Sequence, residues 1–522
     1  MALRYNGATV RIPRLALAAL PAVATMALFC LAACGGHAPS PPVSVSPITP
    51  SASAAPLPSA SAKTYDVRSF GATGNGTSDD AGAIQRALRE AAKVRGTVYL
   101  PAGTYLCSTP LTLPDSVRLA GEGDTSWLKG ELIFASSDSI EKLRIGAVGR
   151  CAVTNADNAD GTTFTDCRFH GGGSSAGVNS SVVYLGGPQG NVSHVLFVRC
   201  QIERTSYVPP HGVNTYADGV GNTITIHEFC YLPDSGHVEH ITFQDCHLGA
   251  SNGHATGALR MMMEAFTWDN HTGRVYHGWK DLTFNGCTIE ASDTGGLDFA
   301  DKQISPGGQH SSSGVLINGC TFLGAARSNS GYGGLPITYE CPTGIVITNN
   351  TFYATPHQAI GGSHVGTGVR NAPGLLVQGN IFDMTRSPVG LTHDTGSPCI
   401  NLVGFGSRVI DNDFVYDAGL GVVIEADVSP AVGNLIEGNT FTDRRSSGGE
   451  PTIEFVDDHS AGNHGNHVAS NTITNHAAGA AGVIAQTGGG PNYVAGNTFL
   501  SAGSTPFVVQ SGTLVHTGNQ VR

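Results

Sequence analysis

Four short stretches combine carboxylates, a guanidinium and an imidazole at strand-like spacing: TITIHEFC (223–230), ALRMMMEAF (258–266), GLDFAD (296–301) and PITYEC (336–341). Apolar and polar residues alternate in each, the period of a half-buried strand. Alternation turns Ile224, Ile226, Leu259, Met261, Met263, Leu297, Phe299, Ile337 and Tyr339 inward. It leaves His227, Arg260, Glu264, Asp298 and Glu340 on the outer face. Stacked as parallel strands, Thr225, Arg260, Asp298 and Thr338 are expected to form one row, and His227, Met262, Ala300 and Glu340 the next. Asp298 and Glu340 then stand about 8 Å apart at Cα. Two carboxylates at that separation can act across a glycosidic bond. Arg260 beside Asp298 would hold it ionised, bind an acidic sugar, or act as the base of an elimination. Taken singly, each residue also reads as a solvated charge or half of an Arg–Asp pair; the cluster is what points to a site. Asp293, Asp301 and His310 are expected on loops flanking the third stretch. Of three tryptophans, Trp268 and Trp279 share the loop TWDNHTGRVYHGW with His271. Such rings suit stacking on sugar faces, unless the loop folds over its own aromatic core.

These strands need a frame, and a recurring phrase supplies it. The phrase is apolar–x–x–(Cys or Asn)–x–apolar, anchored at Cys167, Cys200, Cys246, Cys287 and Cys320, then at Asn350, Asn380, Asn412, Asn439, Asn471, Asn497 and Asn519. Self-similarity at such a period marks a repeat architecture. Helical periodicity is absent, and Gly, Asn, Ser and Pro break the chain every few residues. The shortest spacing, about 22 residues, fits one turn of three short strands plus corners. The predicted fold is all-β: a single-stranded right-handed parallel β-helix of about 12 or more coils, with an N-terminal capping α-helix. The anchor is expected at the same corner of every coil, where Asn tolerates left-handed backbone and hydrogen-bonds along the stack. The spacing swells to 46 residues after Cys200 and 41 after Cys246. Solenoid insertions build the binding face, so chemistry is expected over residues 203–340.

Before the repeats, Arg4, Arg11 and Arg14 precede an apolar run from Leu15 to Ala33, too short and wrongly flanked for a stable membrane span. It ends Leu31-Ala32-Ala33-Cys34-Gly35, which resembles the bacterial lipoprotein signal and implies lipidation at Cys34. Residues 1–34 are then a signal peptide, 35–63 a Pro/Ser/Ala-rich tether, and 64–522 the β-helix domain. The expected location is the cell envelope, lipid-anchored and facing the exterior or periplasm. Only 13% of residues are charged and the net charge is −12. An acidic chain without basic clusters argues against nucleic acid, and against an anionic polysaccharide held by bulk charge alone.

Residues 64–123 carry a second set of marks: Phe70-Gly71-Ala72, Gly74-Asn75-Gly76, Asp79-Asp80, Leu100-Pro101-Ala102-Gly103-Thr104-Tyr105 and Gly121-Glu122-Gly123. In this order they resemble the opening module of the pectate-lyase-like superfamily, in particular the rhamnogalacturonase/epimerase-like pectate lyase group. The resemblance implies a right-handed β-helix, a polysaccharide partner, and a cleft on the side bearing the four stretches above. A helix from Asp79-Asp80 to about Val94 should cover the first coil, with Asp79 and Asp80 in structural roles.

The signatures of particular enzymes of this fold are missing. The Gly-His-Gly of polygalacturonases and the Asp-Pro-His-Asp of alginate epimerases do not occur, and Asp457-Asp458 comes late. No catalytic residue is therefore transferred. The expected function is an extracytoplasmic glycoside hydrolase or polysaccharide lyase; the alternative is a non-catalytic surface lipoprotein that binds glycans or an adhesion partner. No cofactor is expected, although Asp293, Asp298 and Asp301 offer hard oxygens that suit Ca2+. The stacked cysteines are expected as buried free thiols, because parallel side chains on adjacent coils hold their Cβ atoms too far apart for bridging.

Overall fold

The computed structural model describes residues 63–147, 151–171, 181–186, 191–204, 222–228, 238–250, 260–265, 268–269, 274–275, 279–290, 296–301, 313–324, 335–339, 343–362, 374–388, 390, 392–393, 396–426, 430–446, 450–457, 462–475, 484–501 and 506–522. Three columns of parallel strands run along them, each strand hydrogen-bonded to its counterpart one coil away. The first column includes Val192–Val198, Val238–Gln244, Lys280–Asn285 and Ser313–Asn318. The second follows each anchor, as in Arg168–Gly171, Gln201–Arg204 and His247–Ala250. The third is a 14-stranded sheet from Leu111–Thr112 to Phe507–Val509. Together they make the right-handed parallel β-helix.

The apolar residues flanking each anchor point inward and stack on their own kind. Phe322, Phe352, Phe382, Phe414 and Phe441 lie ring on ring with centroids 4.5, 4.7, 4.6 and 4.6 Å apart. Their spacing is that of the coils themselves. All five are fully buried.

The corner explains why Cys and Asn interchange. Asn412 Oδ1 accepts from the backbone N–H of Asn380 at 2.8 Å, and Asn412 Nδ2 donates to the Val377 carbonyl at 2.9 Å. Cys320 occupies the same geometry: its sulfur accepts from the Cys287 N–H at 3.4 Å and its thiol donates to the Phe284 carbonyl at 3.5 Å. Both side chains thus offer one donor and one acceptor at the right height, Asn strongly and Cys weakly. The eight described cysteines are free and buried. Burial pushes the Cys107 and Cys151 thiols up to about 12, so these are inert groups.

The left-handed backbone expected at the anchor falls one residue earlier. Asp166, Arg199, Asp245, Asn349, Asp411 and Ser470 have φ of 53, 49, 53, 56, 55 and 57°. The tight turn needs αL at that position, and the anchor itself is free to hydrogen-bond inward. A second ladder, Ser407–Asn434–Asn466–Asn492, lines another corner of the late coils.

The helix Ala81–Ala92 buries Ile84, Ala87, Leu88 and Ala91. Gln85 exchanges two hydrogen bonds with the backbone of Thr112, 2.8 and 3.1 Å, which satisfies the outer edge of the first third-column strand. Asp79 and Asp80 are structural, with a changed division of labour. Asp80 is buried and receives Thr73 and Gly74 N–H groups at 2.7 and 3.0 Å rather than capping the helix by its side chain. Asp79 takes the Ala81 N–H at 3.1 Å.

Candidate functional site

The third column carries the four stretches, as Asn222–Glu228, Arg260–Ala265, Leu297–Asp301 and Ile337–Tyr339. Ile224, Ile226, Leu297, Phe299, Ile337 and Tyr339 are buried, so the alternation places positions 225, 227, 298 and 338 on the outer side. One row runs Thr225–Met262–Asp298–Thr338, and the next contains His227, Glu264 and Ala300.

The strand Arg260–Ala265 sits two residues away from its expected register. Arg260 pairs with Asn222, and Met262 takes the place beside Asp298. A bulge between Asn222 and Ile224 accompanies this offset. Burial decides which face a residue occupies but not its height, because a slip of two residues leaves the inside–outside pattern unchanged. The Arg260–Asp298 neighbourhood therefore falls away, and Glu264 beside His227 replaces it. Asp301 closes its strand, paired with Ala265, instead of standing on a loop. Glu340, His271, Asp293 and His310 lie outside the described residues, and with Asp293 one member of the candidate Ca2+ set Asp293, Asp298 and Asp301. Cys34 lies outside them as well.

The Trp loop divides. Trp268–Asp269 pairs antiparallel with Arg274–Val275 in a two-stranded hairpin. Trp279 is only 1% exposed, its ring 5.9 Å from Phe299. A ring enclosed in the core has no face for a sugar, so Trp279 is a packing residue.

Farther along the same column, Asn401 Nδ2 donates to Glu425 Oε2 at 2.7 Å, and on the inner side the buried Tyr339 hydroxyl accepts from the Val403 N–H at 3.1 Å. Asn401 follows Thr338 in its row, through Gly361.

A separate constellation occupies the outer face of the second column. One row reads Trp127, Arg144, Arg168, Gln201, His247. Farther along, the same row becomes Thr288, Thr321, Thr351, and later Thr440, Thr472, Thr498. The adjacent row brings His170 beside Glu203. The Arg144 guanidinium lies 4.0 Å over the Trp127 ring and its Nη2 is 3.3 Å from His170 Nε2. His170 Nδ1 is 3.1 Å from the Ile145 carbonyl. A carbonyl only accepts, so Nδ1 carries the proton and Nε2 accepts from Arg144. Arg168 bridges Asp124 at 3.2 Å and the buried Glu203 at 2.9 Å. Trp127, Arg144 and Arg168 stand at positions that the later coils give to threonine, the one repeat-level signal that marks them; His170 and Glu203, in the adjacent row, carry no such mark.

Burial, with Arg144 next, pulls the His170 imidazole down from 6.5 to about 4; Arg168 acts the same way and Asp124 opposes them. The folded chain therefore refuses a proton that the unfolded chain accepts. The associated stability is present above pH 6.5 and is lost as pH falls toward 4. The expected contribution is up to roughly 3 kcal/mol. Asp138, whose carboxyl burial pushes up to about 6, titrates in the same range with the opposite sign, so His170 is isolated by difference. The denaturant midpoints of the native chain and of His170→Gln should diverge or converge by that amount between pH 6.5 and 4, and a gap that does not change with pH would remove His170 as the source.

Residues 64–159 match the family described as rhamnogalacturonase A/epimerase, pectate lyase-like, and residues 274–499 match the right handed beta helix region. Mannuronan C5-epimerase AlgE4 of Azotobacter vinelandii is 41% identical over 92 residues, which is 16% of this chain and 16% of that protein. Among solved structures, the surface adhesin PfbA of Streptococcus pneumoniae aligns over 88% of this chain and 93% of its own, at 14% identity and TM-score 0.41. A tailspike of E. coli bacteriophage HK620, in complex with a hexasaccharide, aligns over 87% and 78% at 13% identity and TM-score 0.45. The chain thus spans about a sixth of the length of the curated relative AlgE4. Its three strand columns thus form a right-handed parallel β-helix, and its opening module, residues 64–159, is pectate-lyase-like.

Proposed function

We propose that this protein acts on a polysaccharide along the outer face of the third column, as a glycoside hydrolase or a polysaccharide lyase. The observation that carries the reading is the register of that column. Position 298 lies on the outer side between buried Leu297 and Phe299, and Thr338, its partner, stands two residues before Glu340. Asp298 and Glu340 are the carboxylates assigned to the reaction, with His227 and Glu264 in the adjoining row. Relatives named as mannuronan epimerases support a polysaccharide as the class of substrate. The leader and Cys34 support a lipid-anchored, extracytoplasmic location.

The test is a glycan array followed by reducing-sugar release and ultraviolet absorbance of unsaturated uronates. New reducing ends without ultraviolet absorbance identify hydrolysis, and absorbance identifies elimination. Binding with neither signal supports the second reading, a non-catalytic glycan-binding protein. That reading is favoured by one observation: Met262, not Arg260, stands beside Asp298, so the charged row is thinner than an elimination site requires.

A further inference from the structure

The first column departs from its repeat at one position, away from the third-column strands. That position is held in successive coils by Gly161, His194, His240, Asp281, Gly314 and Gly344. All six have left-handed backbone, with φ of 74, 51, 56, 53, 75 and 70°. Glycine adopts that conformation freely, whereas a residue with a Cβ is strained there. The row thus uses glycine where it is scaffold and accepts strain for His194, His240 and Asp281. The two imidazoles stack, with ring centroids 4.7 Å apart and planes 17° from parallel. His194 Nδ1 is 2.8 Å from Asp160 Oδ1, to which Ser193 Oγ also donates at 2.7 Å. His240 Nδ1 is 3.3 Å from Asp281 Oδ2. An ionised carboxylate only accepts, so each Nδ1 carries the proton and each neutral ring keeps its lone pair on Nε2. The two histidine side chains are 62% and 43% exposed, open to a solute.

We propose that His194 and His240 form a binding site for a late first-row divalent cation of the Zn2+, Ni2+ or Cu2+ class, with Asp160 and Asp281 as positioning residues. Imidazole nitrogen suits these ions, whereas Ca2+ and Mg2+ prefer carboxylate and carbonyl oxygen. A carboxylate on the far ring nitrogen fixes the tautomer and orientation of a ligating histidine and raises its basicity. Here both rings have one. Among the described residues no three His, Cys, Asp or Glu side chains converge as a metal group, so the ion takes two protein ligands and completes its shell with water. Tetrahedral bonds of about 2.0–2.1 Å place two ligand nitrogens roughly 3.4 Å apart. Exposed rings that already stand 4.7 Å apart and nearly parallel reach that span by tilting toward each other. The ligands come from adjacent coils, and the chain between them includes the long excursion after Cys200. Bound metal would clip that excursion shut, which stabilises the fold.

The experiment is calorimetric titration of the full chain with Zn2+ and with Ni2+ near neutral pH, beside His194→Gly, His240→Gly and the double variant. Glycine is the row's own residue at this position, so these variants should fold, with metal-free melting temperatures no lower than that of the native chain. The native chain should bind one equivalent more of each ion than the double variant, and Zn2+ should raise its melting temperature more. Either single glycine variant should weaken that equivalent at least about tenfold. Asp160→Asn should weaken it by about 10- to 100-fold while leaving the metal-free melting temperature little changed. The equivalent should be released as pH falls below about 6.5, where imidazole takes a proton, and excess Ca2+ should not displace it. Equal stoichiometry and affinity in the native chain and the double variant overturn the proposal. So does an equivalent that depends on only one of the two histidines, or one that Ca2+ displaces. If the glycine variants fail to fold, His194→Asn and His240→Asn carry the same comparison, because Asn tolerates left-handed backbone.

Discussion

Asp298→Asn is expected to lower turnover of a confirmed polysaccharide substrate by about 10²- to 10⁴-fold, the range for removal of a general acid or base. Folding should be untouched, because position 298 is on the outer side of its strand and the core contacts belong to Leu297 and Phe299. The substitution keeps the size of the side chain and removes its charge and its capacity to exchange a proton. Glu340→Gln should give the same loss. The pair also separates mechanisms: if 298 and 340 share the chemistry, the double variant should be little worse than either single one. Full activity in both single variants would remove the third-column assignment. Loss of activity together with a lower melting temperature would instead make Asp298 structural.

The largest expected stability effect lies at the corner ladder. Asn412 Oδ1 accepts both the backbone N–H and the side-chain amide of Asn380. Its Nδ2 donates to the Val377 carbonyl and to Asn439 Oδ1. All four partners are buried in a stack that excludes water. Asn412→Ala therefore leaves at least two buried groups without partners, at a cost of about 3–5 kcal/mol. Asn412→Cys should cost clearly less, because Cys320 and Cys246 make the same two contacts through sulfur in the earlier coils. Urea unfolding of the three chains tests the order wild type, Cys, Ala. An Ala variant within about 1 kcal/mol of wild type would mean that the corner is held by its backbone turn alone.

Much of the architecture was legible from residues 167 to 521, and the reason is physical. A β-helix repeats one local environment many times, so each coil restates the same demand. Cys200, Asn380 and Asn471 are visible as equivalents because each must supply a donor and an acceptor at one buried corner. The inward positions were legible for a related reason: strand alternation has a period of two, and burial of Leu297 and Phe299 admits only one choice of face. The helix Ala81–Ala92 declared itself by its apolar stripe.

The sequence by itself thus determined the fold class, the corner ladder and which side of each strand meets the core. It did not determine neighbours across coils. Height along a strand depends on bulges and insertion lengths, and a shift of two residues costs nothing in the hydrophobic pattern. That is why Arg260 stands beside Asn222 rather than Asp298. Tertiary structure also decided the fate of Trp279, which no local signal separates from Trp268 until the core closes over it. Only packing brought Arg144, Trp127, His170 and Glu203 together, since these residues come from four successive coils. A repeat writes its common environment many times over, but each departure from it is written once, and only the stacking of coils shows what it faces.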